Sequence, residues 1–179
     1  DKVILGSNIP RYTYSARGDF GWKGIDFSFV IQGVGKCDGY LEGTARHAFQ
    51  DMAAYPQKVH LERYNVRTNP NPNAAYPRLT YNTGFNQNTF STYWMEDASY
   101  LRLKNVQLGY TLPQNITKKF FVQRLRVYAQ AENLFTLTRY QGCDPEVTGG
   151  NSSYGTEVGI DRGVYPQSRT FSVGVNLTF

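Results

Sequence analysis

The last eleven residues, Arg169 to Phe179, constrain the fold more than any other stretch of this chain. From Phe171 onward every second residue is apolar, and the residues between are small or polar. The apolar set is Phe171, Val173, Val175, Leu177 and Phe179. This alternation predicts a β-strand with one apolar and one polar face. A soluble domain buries such an apolar face under a second layer, whereas a transmembrane barrel turns it towards lipid.

The composition favours β-structure and excludes a helical membrane protein. Aromatic residues make up 15% of the 179 residues, and Tyr, Thr, Val, Asn and Gly are common. No run approaches the roughly 18 apolar residues that a membrane-spanning helix needs. The net charge of +5 is spread along the chain, so no basic stripe indicates nucleic-acid binding. The densest basic group is Lys118, Lys119, Arg124 and Arg126, and a solvated turn is its simpler interpretation.

Alternation recurs in four further stretches, so the sequence predicts five strands. Their bounds are about 11–22, 24–33, 99–113, 124–138 and 167–179. A tight turn at Gly21 to Gly24 joins the first two strands as a hairpin, and a short polar segment joins the third and fourth. The connections at about 34–98 and 139–166 are long and irregular, apart from a short helix expected from Thr44 to Tyr55.

These connection lengths predict a meander with both short turns at one end and both long loops at the other. Outer-membrane barrels have short periplasmic turns and long extracellular loops, which places Phe179 at the periplasmic end. Polar residues within the strands fall opposite the apolar ones, as expected for a barrel interior. They are Arg17, Asp19, Asp26, Gln107, Gln130, Glu132 and Asn176. Five strands cannot close a barrel, which takes about eight, so we expect the C-terminal part of a larger one.

Several segments resemble the C-terminal end of the SusC/RagA family of TonB-dependent outer-membrane transporters of Bacteroidetes. The most specific are Ser99-Tyr-Leu-Arg-Leu103 and Glu132-Asn-Leu-Phe135, in this order. The other matching segments are Asn8 to Tyr14, Trp22 to Phe27, Gln32 to Gly35, the remainder of Ala98 to Pro113 and of Val127 to Thr138, and Tyr165 to Phe179. The resemblance covers nearly the whole chain and leaves out mainly the loop interiors.

This resemblance implies an all-β fold: a five-stranded antiparallel meander forming the C-terminal part of a 22-stranded transmembrane β-barrel. The N-terminal plug and the TonB-binding part would lie outside this chain. It implies a bacterial outer-membrane location, in contact with lipid or lipopolysaccharide. It also implies import of oligosaccharides or peptides together with a SusD/RagB-like surface lipoprotein, with no enzymatic activity and no cofactor. The alternating residues before Phe179 resemble the signal read by the barrel-assembly machinery.

The long loops hold the candidate binding residues. Aromatic side chains in the first loop are candidates for stacking on sugar or peptide cargo, or for packing against the plug or lipoprotein. They are Tyr81, Phe85, Phe90, Tyr93 and Trp94. In the second loop, Asp144, Glu146, Glu157 and Asp161 are either calcium ligands or a solvated acidic group. Cys37 and Cys143 follow the outer ends of the second and fourth strands, where an extracellular location permits a disulfide.

No catalytic or metal constellation emerges from the sequence. His47 and His60 lack metal-ligand spacing, and Gly33 to Lys36 lacks the full phosphate-loop spacing. One alternative is a soluble lectin-like β-sandwich module whose aromatic residues bind carbohydrate. The other is a small enzyme on a β scaffold, for which no nucleophile–base pair is found.

Overall fold

Eight β-strands occur in the part of the chain that the structure, a computed structural model, describes: residues 3–42, 55–56, 58–65, 67–79, 90–146 and 158–179. They are β1 (Tyr12–Trp22), β2 (Ile25–Gly35), β3 (Asp38–Leu41), β4 (Met95–Asp97), β5 (Tyr100–Thr111), β6 (Arg124–Thr138), β7 (Ile160–Asp161) and β8 (Thr170–Thr178). Helical turns are short: α1 (Gln114–Thr117) and the 3-10 helices Lys58–Glu62, Thr92–Trp94 and Lys118–Phe120. Among the described residues, no helix has the length and apolarity to cross a membrane.

The five long strands form one antiparallel sheet in the order β1-β2-β5-β6-β8. Each strand pairs with the next long strand along the chain, so the predicted antiparallel meander is confirmed. Strands β1 and β8 are its two edges, and the sheet does not close into a barrel within the described residues. The sheet belongs to a compact unit formed by Pro10–Cys37, Ala98–Arg139 and Pro166–Phe179.

The strand register places the apolar residues of all five strands on one face. One row across the sheet is Phe20, Phe27, Leu108, Ala129 and Val173, and the next is Trp22, Ile25, Tyr110, Val127 and Val175. This face remains open: the exposed fraction is 63% for Phe20 and 83% for Val173. Because side chains alternate between faces, the register leaves the polar residues on the opposite face.

A bulge at Lys104 keeps the apolar residues of β5 on one face, although their numbers change from odd to even along the strand. Leu101 and Leu103 are odd-numbered, whereas Val106 and Leu108 are even-numbered, so a regular strand would place them on opposite faces. Against β2, the register shifts by one residue between Leu103 and Asn105. One extra residue in a strand reverses the alternation beyond it, so all four apolar residues point to the same face.

The two short connections differ in build. Between β1 and β2, Lys23 (φ 47°) and Gly24 (φ 87°) form a two-residue turn with both central residues left-handed, which matches the twist of a hairpin. Between β5 and β6, the expected plain polar turn is instead α1 followed by the 3-10 helix Lys118–Phe120. Phe121 ends this segment in the left-handed conformation, at φ 59°.

A second compact unit comprises Asp1–Ile9, Asp38–Asp97 and Tyr140–Tyr165. Its described residues contain a three-stranded sheet in the order β4-β3-β7, in which β3 pairs antiparallel with β4 and parallel with β7. The sequence predicts irregular loops for these segments, because strands of two to four residues are too short to show alternation. The helix expected from Thr44 to Tyr55 falls outside the described residues, apart from its last residue.

Candidate functional site

The polar face of the main sheet carries a hydrogen-bonded network that crosses three strands. Arg126 on β6 donates from Nε to Asp26 Oδ1 at 2.9 Å and from a terminal nitrogen to Oδ2 and to Gln107 Oε1, the latter at 2.9 Å. Gln107 donates to Gln130 Oε1 at 3.1 Å, and Gln130 donates to Glu132 Oε1 at 2.9 Å. The structure thus joins four residues predicted for the polar face, Asp26, Gln107, Gln130 and Glu132. It does so through Arg126, which the sequence groups with a basic turn but which lies on β6. Such a face can line a water-filled or protein-filled interior.

Arg102 joins this polar face, although the alternation in the sequence does not predict it there. Its side chain is buried, its Nε donates to Thr136 Oγ1 at 2.8 Å, and its guanidinium lies 5.6 Å from the Tyr100 ring centroid. Regular alternation around Val106 would place Arg102 on the apolar face. Only the change from odd to even apolar positions between Leu103 and Val106 signals the bulge that moves it.

The five residues predicted as an assembly signal share the apolar face. Phe171, Val173, Val175 and Leu177 lie on β8, pair with apolar or small residues of β6 and are exposed, and Phe179 follows the strand. Their arrangement suits recognition of an extended apolar edge. Their role in barrel assembly stays a prediction.

The candidate aromatic residues that the structure describes divide between two cavities. The Phe90 ring is exposed and lies 4.5 Å from the Tyr40 ring. Tyr93 and Trp94 occupy the 3-10 helix Thr92–Trp94, with their rings edge-on at 4.7 Å. Tyr93 is exposed, whereas Trp94 is only 7% exposed. Tyr81 and Phe85 lie outside the described residues.

The cavity beside Tyr93 has a volume of about 310 Å³ and a mostly aromatic and proline lining. Its rings and prolines are Tyr64, Tyr76, Tyr93, Trp94, Pro72 and Pro77. The Tyr93 hydroxyl donates to the Ala75 carbonyl, and Tyr76 lies 6.0 Å from Trp94 and 5.0 Å from His60. Although the side chain is exposed, partial desolvation of the hydroxyl raises the pKa of Tyr93 above its ordinary value. Flat rings at an open cavity can stack on sugar rings or peptide side chains.

The cavity beside Phe90 has a volume of about 400 Å³ and a mixed lining that includes Asp38, Tyr40 and Met95. The Ser7 amide donates to the Asp38 carboxylate at 2.9 Å. Because it accepts this hydrogen bond from Ser7, the Asp38 carboxylate stabilises the wall of the cavity.

Two acidic residues of the second long loop, Asp144 and Asp161, accept hydrogen bonds from other residues of the same loop. Asp161 is buried and accepts from the Tyr140 hydroxyl at 2.6 Å and from the amides of Gly163 and Val164 at 2.8 and 3.3 Å. Burial and this hydrogen bond raise the pKa of Tyr140. Asp144 accepts from the Glu146 amide at 2.9 Å. Within the described ranges, no group of three or more His, Cys, Asp or Glu residues is placed to hold a metal ion, and Glu157 lies outside them.

Both cysteines are present as thiols in the structure, with Cys37 buried and Cys143 exposed. Their pairing under oxidising conditions stays a prediction.

Comparisons with known proteins place the whole chain beside one group of receptors. It is 38% identical to TonB-dependent receptor SusC of Bacteroides thetaiotaomicron over 181 residues, and 29% identical over 182 residues to TonB-dependent receptor P3 of Formosa agariphila. Each alignment covers 100% of this chain, but only 16% and 17% of the respective receptor. The chain therefore spans about a sixth of the length of these relatives. No protein-family model matches it.

Solved structures give the same result for the fold. The RagAB peptide transporter matches with a TM-score of 0.76 and 27% identity, over 98% of this chain and 18% of that chain. RagAB in its open-open state matches with a TM-score of 0.73. The antiparallel sheet thus corresponds to part of the RagA barrel. Members of this group are transporters of the outer membrane and not enzymes, which agrees with the predicted absence of enzymatic activity.

Proposed function

We propose that this chain, which is homologous over its whole length to the SusC/RagA family of TonB-dependent receptors, supplies five strands at the C-terminal end of an outer-membrane transporter barrel. One observation carries the proposal: the register of all five strands collects the apolar residues on one exposed face and a hydrogen-bonded polar network on the other. A barrel strand presents its apolar residues to lipid and its polar residues to the interior.

A soluble lectin-like β-sandwich fits this sheet less well. A sandwich needs its apolar face buried against a second sheet about 10 Å away. In the described part of this unit the apolar face is open, with the large side chains of Trp22, Phe171 and Val173 exposed. Covering such a face with lipid requires no further layer of protein.

The remainder of the receptor completes the barrel in this proposal. The edges β1 and β8 pair with strands of the rest of a barrel of about 22 strands, which encloses an N-terminal plug. The β1–β2 and β5–β6 turns face the periplasm, and the segments between β2 and β5 and between β6 and β8 face the cell exterior. The support is the difference in length between the two kinds of connection.

The cargo is an oligosaccharide or a peptide, taken up with a SusD/RagB-like surface lipoprotein and driven through TonB. The similarity to RagAB, a peptide importer, supports the peptide class and a lipoprotein partner. The cavity of about 310 Å³ supplies the contact surface, with exposed Tyr93 as the platform and buried Trp94 as its support. In the intact receptor, Tyr93→Ala is expected to weaken cargo binding. Tyr165→Ala, at another exposed tyrosine of the same unit, is the control.

Fractionation of cells that express the intact receptor tests the location. The receptor is expected in the outer-membrane fraction, resistant to extraction by high salt and alkaline carbonate and released by detergent. Recovery in the aqueous fraction after lysis would contradict the barrel and favour the sandwich.

A further inference from the structure

The end of the main sheet that carries the short turns presents cations and aromatic rings together. Backbone hydrogen bonds link the segments at this end of the sheet. The Thr111 amide donates to the Gly24 carbonyl at 2.7 Å, the Leu112 amide to the Leu125 carbonyl at 2.9 Å, and the Gln123 amide to the Thr178 carbonyl at 2.8 Å. The side chains of this set are all exposed, and we call them the turn cluster. They are Trp22, Lys23, Lys118, Lys119, Phe120 and Phe121.

Phe121 occupies a position where an apolar ring is costly and unusual. It ends the 3-10 helix Lys118–Phe120 with φ 59°, the left-handed conformation that glycine normally supplies at a helix C-terminus. A bulky residue with positive φ is an outlier, and such outliers concentrate at functional positions. The ring is 91% exposed, so packing within this unit does not account for it.

Lys23 is a second such case, in the other short turn. It has φ 47° at a turn position where Asn, Asp or Gly is favoured. Its Nζ lies 5.0 Å from the centroid of the Trp22 ring, which places a cation beside an aromatic face on the apolar side of the sheet. Each short turn therefore contains a non-glycine residue with positive φ: the cationic Lys23 in the first turn and the aromatic Phe121 in the second.

The charge of the turn cluster is not balanced. The two turn segments, 22–25 and 113–123, contain three cations and no Asp or Glu. The carboxylate next to the first turn, Asp26, is already engaged by Arg126. Among the described residues, no ion pair involves Lys23, Lys118 or Lys119. A partner for this edge should therefore carry negative charge.

We propose that the turn cluster binds the anionic phosphodiester headgroups of phospholipids in the membrane leaflet nearest the short turns, an inference that rests on the proposed barrel. The apolar row of Trp22, Ile25, Tyr110, Val127 and Val175 leads directly to this edge. A surface that passes from apolar to aromatic to cationic matches the order of acyl chain, interface and phosphate in a lipid leaflet. Each lysine near an anionic membrane surface strengthens binding severalfold.

Native mass spectrometry of the intact receptor in detergent tests the proposal. The receptor is offered equimolar dioleoylphosphatidylglycerol and dioleoylphosphatidylcholine, and the ratio of bound anionic to zwitterionic lipid is measured. The wild type is expected to prefer the anionic lipid. Lys23→Asn, Lys118→Gln and Lys119→Gln together are expected to reduce this preference by on the order of tenfold or more. An unchanged ratio, or loss of a co-purifying periplasmic protein with the ratio retained, would overturn the lipid assignment.

Two further variants separate lipid binding from folding. Phe121→Gly suits the left-handed backbone, so it keeps the turn while removing the ring; it is expected to lower binding of both lipids. Lys36→Asn makes the same substitution as Lys23→Asn at another exposed lysine with positive φ (53°), outside the turn cluster. It should leave the ratio unchanged. Unchanged lipid binding by Phe121→Gly, or an equal loss of preference in Lys36→Asn, would contradict the proposed site.

The topology is tested independently. Asn115→Cys, in a receptor that carries Cys37→Ser and Cys143→Ser, is treated with a membrane-impermeant maleimide on cells. Labelling only after permeabilisation of the outer membrane is expected. Labelling of intact cells would overturn the proposed orientation, and with it the choice of leaflet, whereas the lipid ratio of the purified receptor tests the binding site itself.

Discussion

Arg126 on β6 forms a bidentate ion pair with Asp26 on β2 across the strand that lies between them. The residue beneath the pair is Gly109 on β5, which is opposite Asp26 in the register. A Cβ atom on Gly109 would lie 2.5 Å from both an Arg126 nitrogen and an Asp26 oxygen. The absence of a side chain on Gly109 is what allows the two charged groups to meet.

Gly109→Ala is therefore expected to break this pair. The methyl group displaces two flexible side-chain ends and leaves the backbone in place, so the receptor should still assemble. Loss of the charge-assisted hydrogen bonds should cost about 1–3 kcal/mol, measured as a lower midpoint of denaturant unfolding of the intact receptor. Gly21→Ala is the matched control, because a Cβ at Gly21 meets nothing within 4 Å. Equal midpoints for the two variants would show that Gly109 has no such role.

The two faces of β8 give a second test. Val175 lies on the apolar face opposite Val127, whereas Asn176 lies on the polar face opposite Arg126. Val175→Arg is expected to impair assembly, at a cost of about 2–4 kcal/mol if the residue lies near the bilayer midplane. Asn176→Ser is expected to be tolerated. The measurement is the folded fraction in outer membranes, read from heat-dependent migration in gels. Equal tolerance of both substitutions would refute the assignment of faces.

The buried pair of Tyr140 and Asp161 gives a third test. Tyr140→Phe removes the hydroxyl that donates to Asp161 at 2.6 Å and leaves a buried carboxylate with one donor fewer, at a cost of about 1–3 kcal/mol. Faster proteolytic cleavage within residues 158–165 of the intact receptor is expected. Tyr165→Phe is the control, because Tyr165 is exposed. Cleavage at the wild-type rate in Tyr140→Phe would mean that the hydroxyl does not hold this segment.

Glu96 on β4 gives a pH-dependent test. Burial raises its pKa above the ordinary value of 4.5, so the folded state binds its proton more tightly than the unfolded state does. The stability of this unit therefore falls as the pH rises from about 4.5 through the raised pKa, because the folded protein must then hold a partly desolvated carboxylate. Glu96→Gln removes the charge and should abolish this fall.

Limited proteolysis at pH 4 and pH 7 measures the effect. Relative to wild type, Glu96→Gln is expected to resist cleavage better at pH 7 and equally at pH 4. Glu62→Gln, at an exposed glutamate of the same unit, should match wild type at both values. If Glu96→Gln resisted cleavage better than wild type by the same factor at pH 4 and pH 7, ionisation of Glu96 would not be the cause.

The sequence predicted the antiparallel meander and the separation of its faces, because each strand carries its own alternation. It missed the Lys104 bulge and therefore Arg102, since the pattern on each side of the bulge is regular by itself. It also missed α1, a single helical turn that has no room for a helical period. The buried state of Trp94, a candidate for cargo binding, depends on rings such as Tyr76 that alternation does not place beside it.

The amino-acid sequence by itself determined which residues of β8 are apolar and which are polar, and hence that Phe171 to Phe179 form a two-faced strand. That information is local, because it depends only on side-chain direction along an extended backbone. The tertiary structure decided which distant residues meet. Arg126 and Asp26 are 100 residues apart in the chain, and β3 pairs in parallel with β7 from another loop. The Arg126–Asp26 contact depends on strand register and on the space left by Gly109, and the β3–β7 pairing depends on the register of the second sheet. Both arise only when strands from distant parts of the chain assemble.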